Sequence, residues 1–396
     1  MAKISKLNYC STELPQHRVL CLYYYSDCLG FLHDTQEEEV YKTDQITEWD
    51  IVEHENVIAK VNISTKNGLN EDLSIYKFFK IHKCYHIIPK SSKLVVFDTQ
   101  LLVKKAFFAL VYNGLRAAPL WDSKKQKFVG MLTITDFIQI LQMYYVSSNF
   151  QMDELETHHL ETWRSVLCNT KDLVFICPDA SLFEAIKMLI KNKVHRLPVI
   201  DPDTNNVLCI LTHKRLLRFL FIYIYTLPKP QFLAKSVFEL NVGTYENIET
   251  ARPSTRIIEA LHKFVNKKIS ALPIVNNDGK LVDIYAKFDV INLAAEKTYE
   301  NLDISLEEAN EYRNGWFEGV HKCKQTDSLF DVMKNIVKAE VHRLVVVDDD
   351  DKVIGIISLS DLLAFLVMKP SIFNEKSISI QETKNDSKFN SESMHS

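Results

Sequence analysis

Glycine is scarce: nine residues in a chain of 396. That is too few for most enzymes that cradle phosphate in glycine-rich loops. No G-x-x-x-x-G-K-[ST] or G-x-G-x-x-G stretch occurs, and neither a kinase H-R-D set nor a G-x-S-x-G elbow is present. Paired cysteines are also missing. The eight cysteines (Cys10, Cys21, Cys28, Cys84, Cys168, Cys177, Cys209, Cys323) are scattered, with no C-x-x-C pair and no Cys/His cluster at zinc spacing. This argues against a structural metal and fits reduced thiols in a cytosolic or nuclear compartment. Excess charge is absent too, at a formal net −4. Nothing therefore draws the whole chain to nucleic acid or an anionic membrane, and any polyanion site must be local. The apolar runs "VLCLYYYS" (19–26) and "LLRFLFIYIYTL" (216–227, with Arg218) are too short to span a bilayer. The second reads as a buried helix end. The N-terminal "MAKISKLNYCSTELPQHR" lacks a signal-type apolar core, so the sequons at Asn62 and Asn385 carry no weight.

What is present is repetition. With 46% hydrophobic and 25% charged residues, the chain has a globular composition and length for two or three domains. Four stretches align: "GLRAAPLWD" (114–122), "VHRLPVID" (194–201), "KISALPIVN" (268–276) and "VHRLVVVD" (341–348). Pro119, Pro198, Pro273 and Val345 fall in register, at intervals of 79, 75 and 72 residues. Each stretch leads into a polar turn and a second apolar strand. At 17, 17, 16 and 16 residues past the anchor stand Asp136, Arg215, Asp289 and Asp361, where a helix begins. Upstream lie amphipathic helices such as "SLFEAIKMLIKNK" (181–193) and "SLFDVMKNIVKAE" (328–340). Ser181 and Ser328 are placed to cap them, with Glu184 and Asp331 three residues on. Each unit reads strand–helix–strand–strand–helix, an α/β (α+β repeat) pattern. So small a unit cannot bury its sheet alone, so copies should pair. The predicted organisation is an N-terminal extension, variable and partly disordered (1–77), repeats at 78–147, 160–227, 235–298 and 310–369, and a disordered tail (370–396).

The tetrapeptides "TITD" (133–136), "THKR" (212–215), "AKFD" (286–289) and "SLSD" (358–361) lie where a strand hands over to a helix. An Asp there caps the helix, and its carboxylate can also accept two hydroxyls of a ribose diol. Cations recur just ahead of the anchor strands: Arg116, His195, Arg196, His342 and Arg343, with Lys214 beside the exceptional Arg215. Arg supplies planar multidentate phosphate contacts and Lys a point charge. Acids and cations facing each other over an apolar floor suit a ligand made of phosphate, sugar and flat base.

These residues carry a resemblance. The repeated unit with S/T-x-x-D at its last helix looks like a cystathionine-β-synthase (CBS) repeat. The segments 91–138, "NKVHRLPVIDP" (192–202), "ILTHKRLLRFL" (210–220), "KFDVINLAAEKTYENLD" (287–303) and "AEVHRLVVVD" (339–348) resemble the γ regulatory subunits of AMP-activated protein kinase. The resemblance covers roughly 78–368. It implies four CBS repeats paired into two Bateman modules forming a flat disc. It also implies a non-catalytic, nucleotide-sensing role, with a catalytic α kinase subunit and a scaffolding β subunit as partners. The implied ligands are AMP, ADP and ATP, with no cofactor, no metal, no nucleic acid and no membrane. Ribose-binding acids would be Asp136, Asp289 and Asp361. Phosphate contacts would be Arg116, His195, Arg196, Lys214, His342 and Arg343. Thr133, Thr244, Ser270 and Ser358 would be other nucleotide contacts. Arg215 in place of the acid would leave the second pocket empty. Two departures stand out: Ala286 lacks the hydroxyl expected there, which should weaken binding, and Glu249 puts a carboxylate near a phosphate pocket, which would weaken it or select less charged ligands. The segment "HKCYHIIP" (82–89) reads as an exposed strand able to take a partner strand. The rival readings are a CBS-pair scaffold with degenerate pockets regulating another partner and, more weakly, an enzyme.

Overall fold

The four anchors lie in the middle of four antiparallel hairpins that share one register. In a computed structural model, residues 19–24, 71–89, 91–146, 158–166, 172–290, 301–311 and 319–368 are described. The hairpins are β3 (Ala117–Asp122) with β4 (Lys127–Thr133), β5 (Arg196–Ile200) with β6 (Val207–Thr212), β7 (Ala271–Val275) with β8 (Leu281–Ala286), and β10 (Arg343–Val347) with β11 (Val353–Ser358). Pro119, Pro198, Pro273 and Val345 face Met131, Ile210, Ile284 and Ile356. Every hairpin slips register just after the anchor: at Leu120/Trp121, Val199/Ile200, Ile274/Val275 and Val346/Val347. Such a bulge bends the strand and re-aims its side chains. Four copies of the same irregularity show that the repeat extends to backbone detail.

Helices precede and follow each hairpin. Ahead of them come α2 (Val103–Tyr112), α5 (Leu182–Lys191), α7 (Ile257–Asn266) and α9 (Leu329–Ala339). After them come α3 (Ile134–Val146), α6 (His213–Tyr223), a 3-10 turn (Lys287–Asp289) and α10 (Leu359–Met368). Ser181 caps α5 by accepting from the Glu184 N–H, while the Glu184 carboxylate accepts from the Ser181 N–H. Ser328 caps α9 in the same way through Asp331 N–H. The leading strand is complete only in the first and last copies, β2 (Ser91–Asp98) and β9 (Lys322–Lys324), both parallel to the anchor strand. In the middle copies it shrinks to single parallel bridges, Ile176 to Val199 and Ala251 to Ile274. On the outer edge of β2 lies β1 (Val19–Tyr24), parallel to it.

Apolar faces fix how the copies assemble. Helices of the first and third repeats share one core, including Phe137, Leu141 and Phe264, with Tyr285 of β8. Those of the second and fourth share another, including Leu189, Leu220, Met333 and Leu363. Sheet residues complete the ring: Leu94 and Val96 pack with Ile200 and Val207, and Ala271 and Ile284 with Val345 and Val347. The order around the ring is therefore first, second, fourth, third. Among the described residues, no helix is long and apolar enough to cross a membrane.

The segment before the first repeat differs from the expectation. Helix α1 (Ser74–Ile81) buries Phe78 and Phe79 in the core of the second and fourth repeats, so packed structure begins inside the expected extension. Residues 84–87 form a 3-10 turn, not an exposed strand. Cys84 and Tyr85 donate backbone hydrogen bonds to Ala180 and Pro178, and Ile87 and Ile88 are buried. This backbone is already satisfied from within the chain and offers no open strand edge. The expected tail (370–396) lies outside the described residues.

Candidate functional site

The ring closes on a cavity of about 380 Å³. Residues three positions before each anchor reach it from all four repeats: Arg116, His195, Ser270 and His342. So do the first residues of all four tetrapeptides: Thr133, Thr212, Ala286 and Ser358. Arg196, Lys214, Arg343 and Asp289 complete the expected residues found on its wall. The residues that lead into the anchor strands and the strand-to-helix turns thus converge on one space. Three residues lie off this wall. Asp136 and Asp361 sit one turn into their helices. Thr244 exchanges backbone hydrogen bonds of 2.9 Å each way with Ile356, along the edge of β11. Ile356 lies two residues before Ser358, which binds Asp361, so Thr244 sits near that end of the fourth repeat.

The three acids are held in one way. Asp136 Oδ2 accepts from the Thr133 N–H at 2.7 Å and its hydroxyl at 2.8 Å. Asp361 Oδ2 accepts from the Ser358 N–H at 2.8 Å and its hydroxyl at 2.6 Å. Asp289 Oδ2 accepts from the Ala286 N–H at 2.7 Å. Helix capping is therefore real at all three, and every one of these bonds ends on Oδ2. Ala286 removes one bond from the third set but leaves its carboxylate aligned through the backbone.

Ten basic side chains line the cavity against one carboxylate, Asp289. Four of the ten escape a reading of the sequence: Lys193, His213, Lys287 and His321. His213 and Lys287 occupy the non-acidic positions of their tetrapeptides, and nothing in their spacing marks them. The Arg116 guanidinium lies 4.4 Å from the Phe288 ring centroid and has Nη1 2.9 Å from His342 Nε2, joining the first, third and fourth repeats. Arg343 donates to the Ser270 hydroxyl at 3.3 Å. Crowding shifts these groups. Burial, then Arg116 nearby, brings Arg196 down to about 10, still charged at neutral pH. Burial, then Lys287, Arg343 and Arg196, pulls His195 below the ordinary histidine range. Burial, then His195 and His342, takes His213 down to about 3. Lys287 is lowered by burial, with Asp136 opposing. Cations forced together in this way are poised for a polyanion.

The two expected obstacles fare differently. Glu249 is not on the cavity wall: its carboxylate pairs with Lys263 on α7 at 3.3 Å and with Lys267, just past the helix end, at 3.1 Å. These lysines hold it below the usual carboxylate range and offset its charge. Buried Cys84 and Cys323 are pushed up to about 12 by burial, which keeps both as neutral thiols. Among the described residues, no three His, Cys, Asp or Glu are grouped to hold a metal ion.

Comparison with known proteins agrees with this architecture. The CBS domain family matches residues 164–222, 242–296 and 318–368, within the second, third and fourth copies. Over 297 residues the chain is 52% identical to 5'-AMP-activated protein kinase subunit gamma-3 of Homo sapiens, covering 74% of this chain and 61% of that protein. The chain carries CBS domains and is similar over about three quarters of its length to this γ subunit. The subunit of the same name from Sus scrofa is 51% identical over 296 residues, covering 74% of this chain and 58% of that protein. The chain thus spans about three fifths of the length of the curated relatives it matches. Protein MJ1225 of Methanocaldococcus jannaschii, described as an archaeal homologue of γ-AMPK, shares the fold of the CBS repeats. It superposes with a TM-score of 0.57 at 19% identity, covering 72% of this chain and 99% of that one.

Proposed function

We propose that this chain is a non-catalytic, adenine-nucleotide-sensing regulatory subunit of a heterotrimeric AMP-activated protein kinase. Its partners are a catalytic α subunit and a scaffolding β subunit. The observation that carries this reading is the cavity to which all four repeats bring both hydroxyls and cations. AMP, ADP and ATP share adenosine and differ in phosphate charge. Arg116, His195, Arg196, Lys214, His342 and Arg343 receive the phosphates. Asp136, Asp289 and Asp361, aligned through Oδ2, hold the ribose hydroxyls, with Thr133, Ser270 and Ser358 as further contacts. Thr244 serves the pocket on the Asp361 side. Arg215 stands where the second ribose acid would be, so three pockets fill.

Sensing needs ligands that compete for a pocket but favour different conformations, because a ligand that binds two states equally shifts nothing. AMP or ADP favours the state that engages the kinase subunit and ATP releases it. A coupling of about 1–3 kcal/mol makes a useful switch. Calorimetric titration of the full chain, in the complex in which it purifies, tests this. AMP and ATP should compete, and Asp136→Ala and Asp361→Ala should each remove part of the binding. If neither nucleotide binds, the chain is a scaffold that keeps the fold without the sensing.

A further inference from the structure

The residue five positions before each anchor has a positive φ: Gly114 at 60°, Lys193 at 53°, Lys268 at 53° and Glu340 at 57°. This is the left-handed residue that ends the helix before the anchor strand, a place where glycine is favoured. Three copies put a neutral or basic residue there, and the fourth puts an acid. Glu340 reaches across from the fourth repeat to the second. One carboxylate oxygen lies 3.3 Å from Lys214 Nζ and the other 3.3 Å from Arg218 Nη1. Lys214 is on the cavity wall, while Arg218 lies one turn further along the same helix. Glu340 is therefore an acid tied to one of the cavity's cations, held by a backbone conformation that most side chains avoid.

We infer that Glu340 is a positioning residue that sets the charge selectivity of the nucleotide pocket served by Lys214. This rests on the functional reading given above. The Lys214 ammonium is shared between the Glu340 carboxylate and a ligand phosphate. The cost of that sharing grows with the number of negative charges the ligand brings to Lys214, so Glu340 disfavours ATP more than AMP. The half-exposed position of Glu340 moderates the effect through solvent screening. The fourth repeat thereby tunes a pocket whose cation comes from the second.

The test is competitive titration of AMP and ATP on the full chain in its purified complex. Wild type is compared with Glu340→Gln and with Glu340→Gly, which suits the left-handed backbone. Each is also made with Lys214→Met. Removing the carboxylate should tighten ATP about fivefold while AMP changes less than about twofold, with the shift fading at high salt. In the Lys214→Met background the shift should disappear. An unchanged AMP-to-ATP ratio in both Glu340 variants would overturn the inference. So would a shift that survives without Lys214, because Glu340 would then act by another route. If the wild type binds neither nucleotide, the functional reading itself fails and the inference falls with it.

Discussion

His213 shows how far a single side chain departs from what its sequence position suggests. It opens helix α6, is 5% exposed and packs its ring 5.6 Å from that of His195. Burial and the neighbouring His195 and His342 bring its pKa from 6.5 to about 3. The folded pKa lies below the unfolded one, so the unfolded chain takes up the proton first as pH falls. Stability is therefore lost from about pH 6.5 downward and levels off near pH 3. This group alone should cost about 2 kcal/mol between pH 7 and pH 5, and lowered His195 adds with the same sign. Denaturant unfolding of His213→Gln at the two pH values should show a flatter dependence than wild type; an equally steep one would mean His213 does not carry the effect. Glu249→Ala provides the opposite control. With its carboxylate held by Lys263 and Lys267, its loss should leave nucleotide affinity within about twofold, since exposed pairs contribute little at a distance. The sequence exposed Arg116, His195, Arg196, His342 and Arg343 because they recur in register ahead of an anchor. It hid His213, Lys287 and His321, which become neighbours only when four repeats close into a ring. It did not show that Glu249 pairs with Lys263 and Lys267, because a side chain's direction is not written in its spacing.

Among the elements, hairpins and helices were legible because each copy repeats one apolar period and one polar turn. Where tertiary contacts replace local pattern, legibility failed. The leading strands of the middle repeats shrink to single bridges at Ile176 and Ala251, and 84–87 form a turn, not an open strand. The connecting segments explain the second failure. The backbone at His82–Lys83 meets the start of α5, with Leu182 N–H donating to His82 carbonyl. Lys235 and Ser236 meet the start of α9 in the same way, with Leu329 N–H donating to Lys235. The segment before the first repeat thus closes the second, and the segment before the third closes the fourth. Each pair is laced together by its own lead-in. Phe78 and Phe79 are fully buried in this arrangement. Phe78→Ala should cost about 3–5 kcal/mol, and a chain starting at residue 91 should be less stable than one starting at residue 71. Equal midpoints in urea for the two truncations would show that the lead-in is dispensable.

For the molecule as a whole, assembly concentrates charge that no single repeat holds. The chain has a formal net charge of −4, yet ten basic side chains and one carboxylate face a single cavity. Repulsion among them opposes the closed ring in the absence of an anion, and the lowered pKa values of Arg196 and His195 record part of that strain along with their burial. Ligands that bring negative charge should therefore stabilise the ring in proportion to that charge as well as to contact. At a concentration one hundred times its dissociation constant, a ligand binding only the folded state adds about 2.7 kcal/mol. Thermal unfolding of the full chain in its complex should separate the contributions. At equal millimolar concentration, AMP and ATP should raise the midpoint clearly, inorganic triphosphate by a smaller amount and adenosine hardly at all. Adenosine matching AMP would show that the base and ribose, held by the aspartates, supply the stabilisation. Arg116, the two His-Arg pairs and Lys214 would then have some purpose other than gripping phosphate.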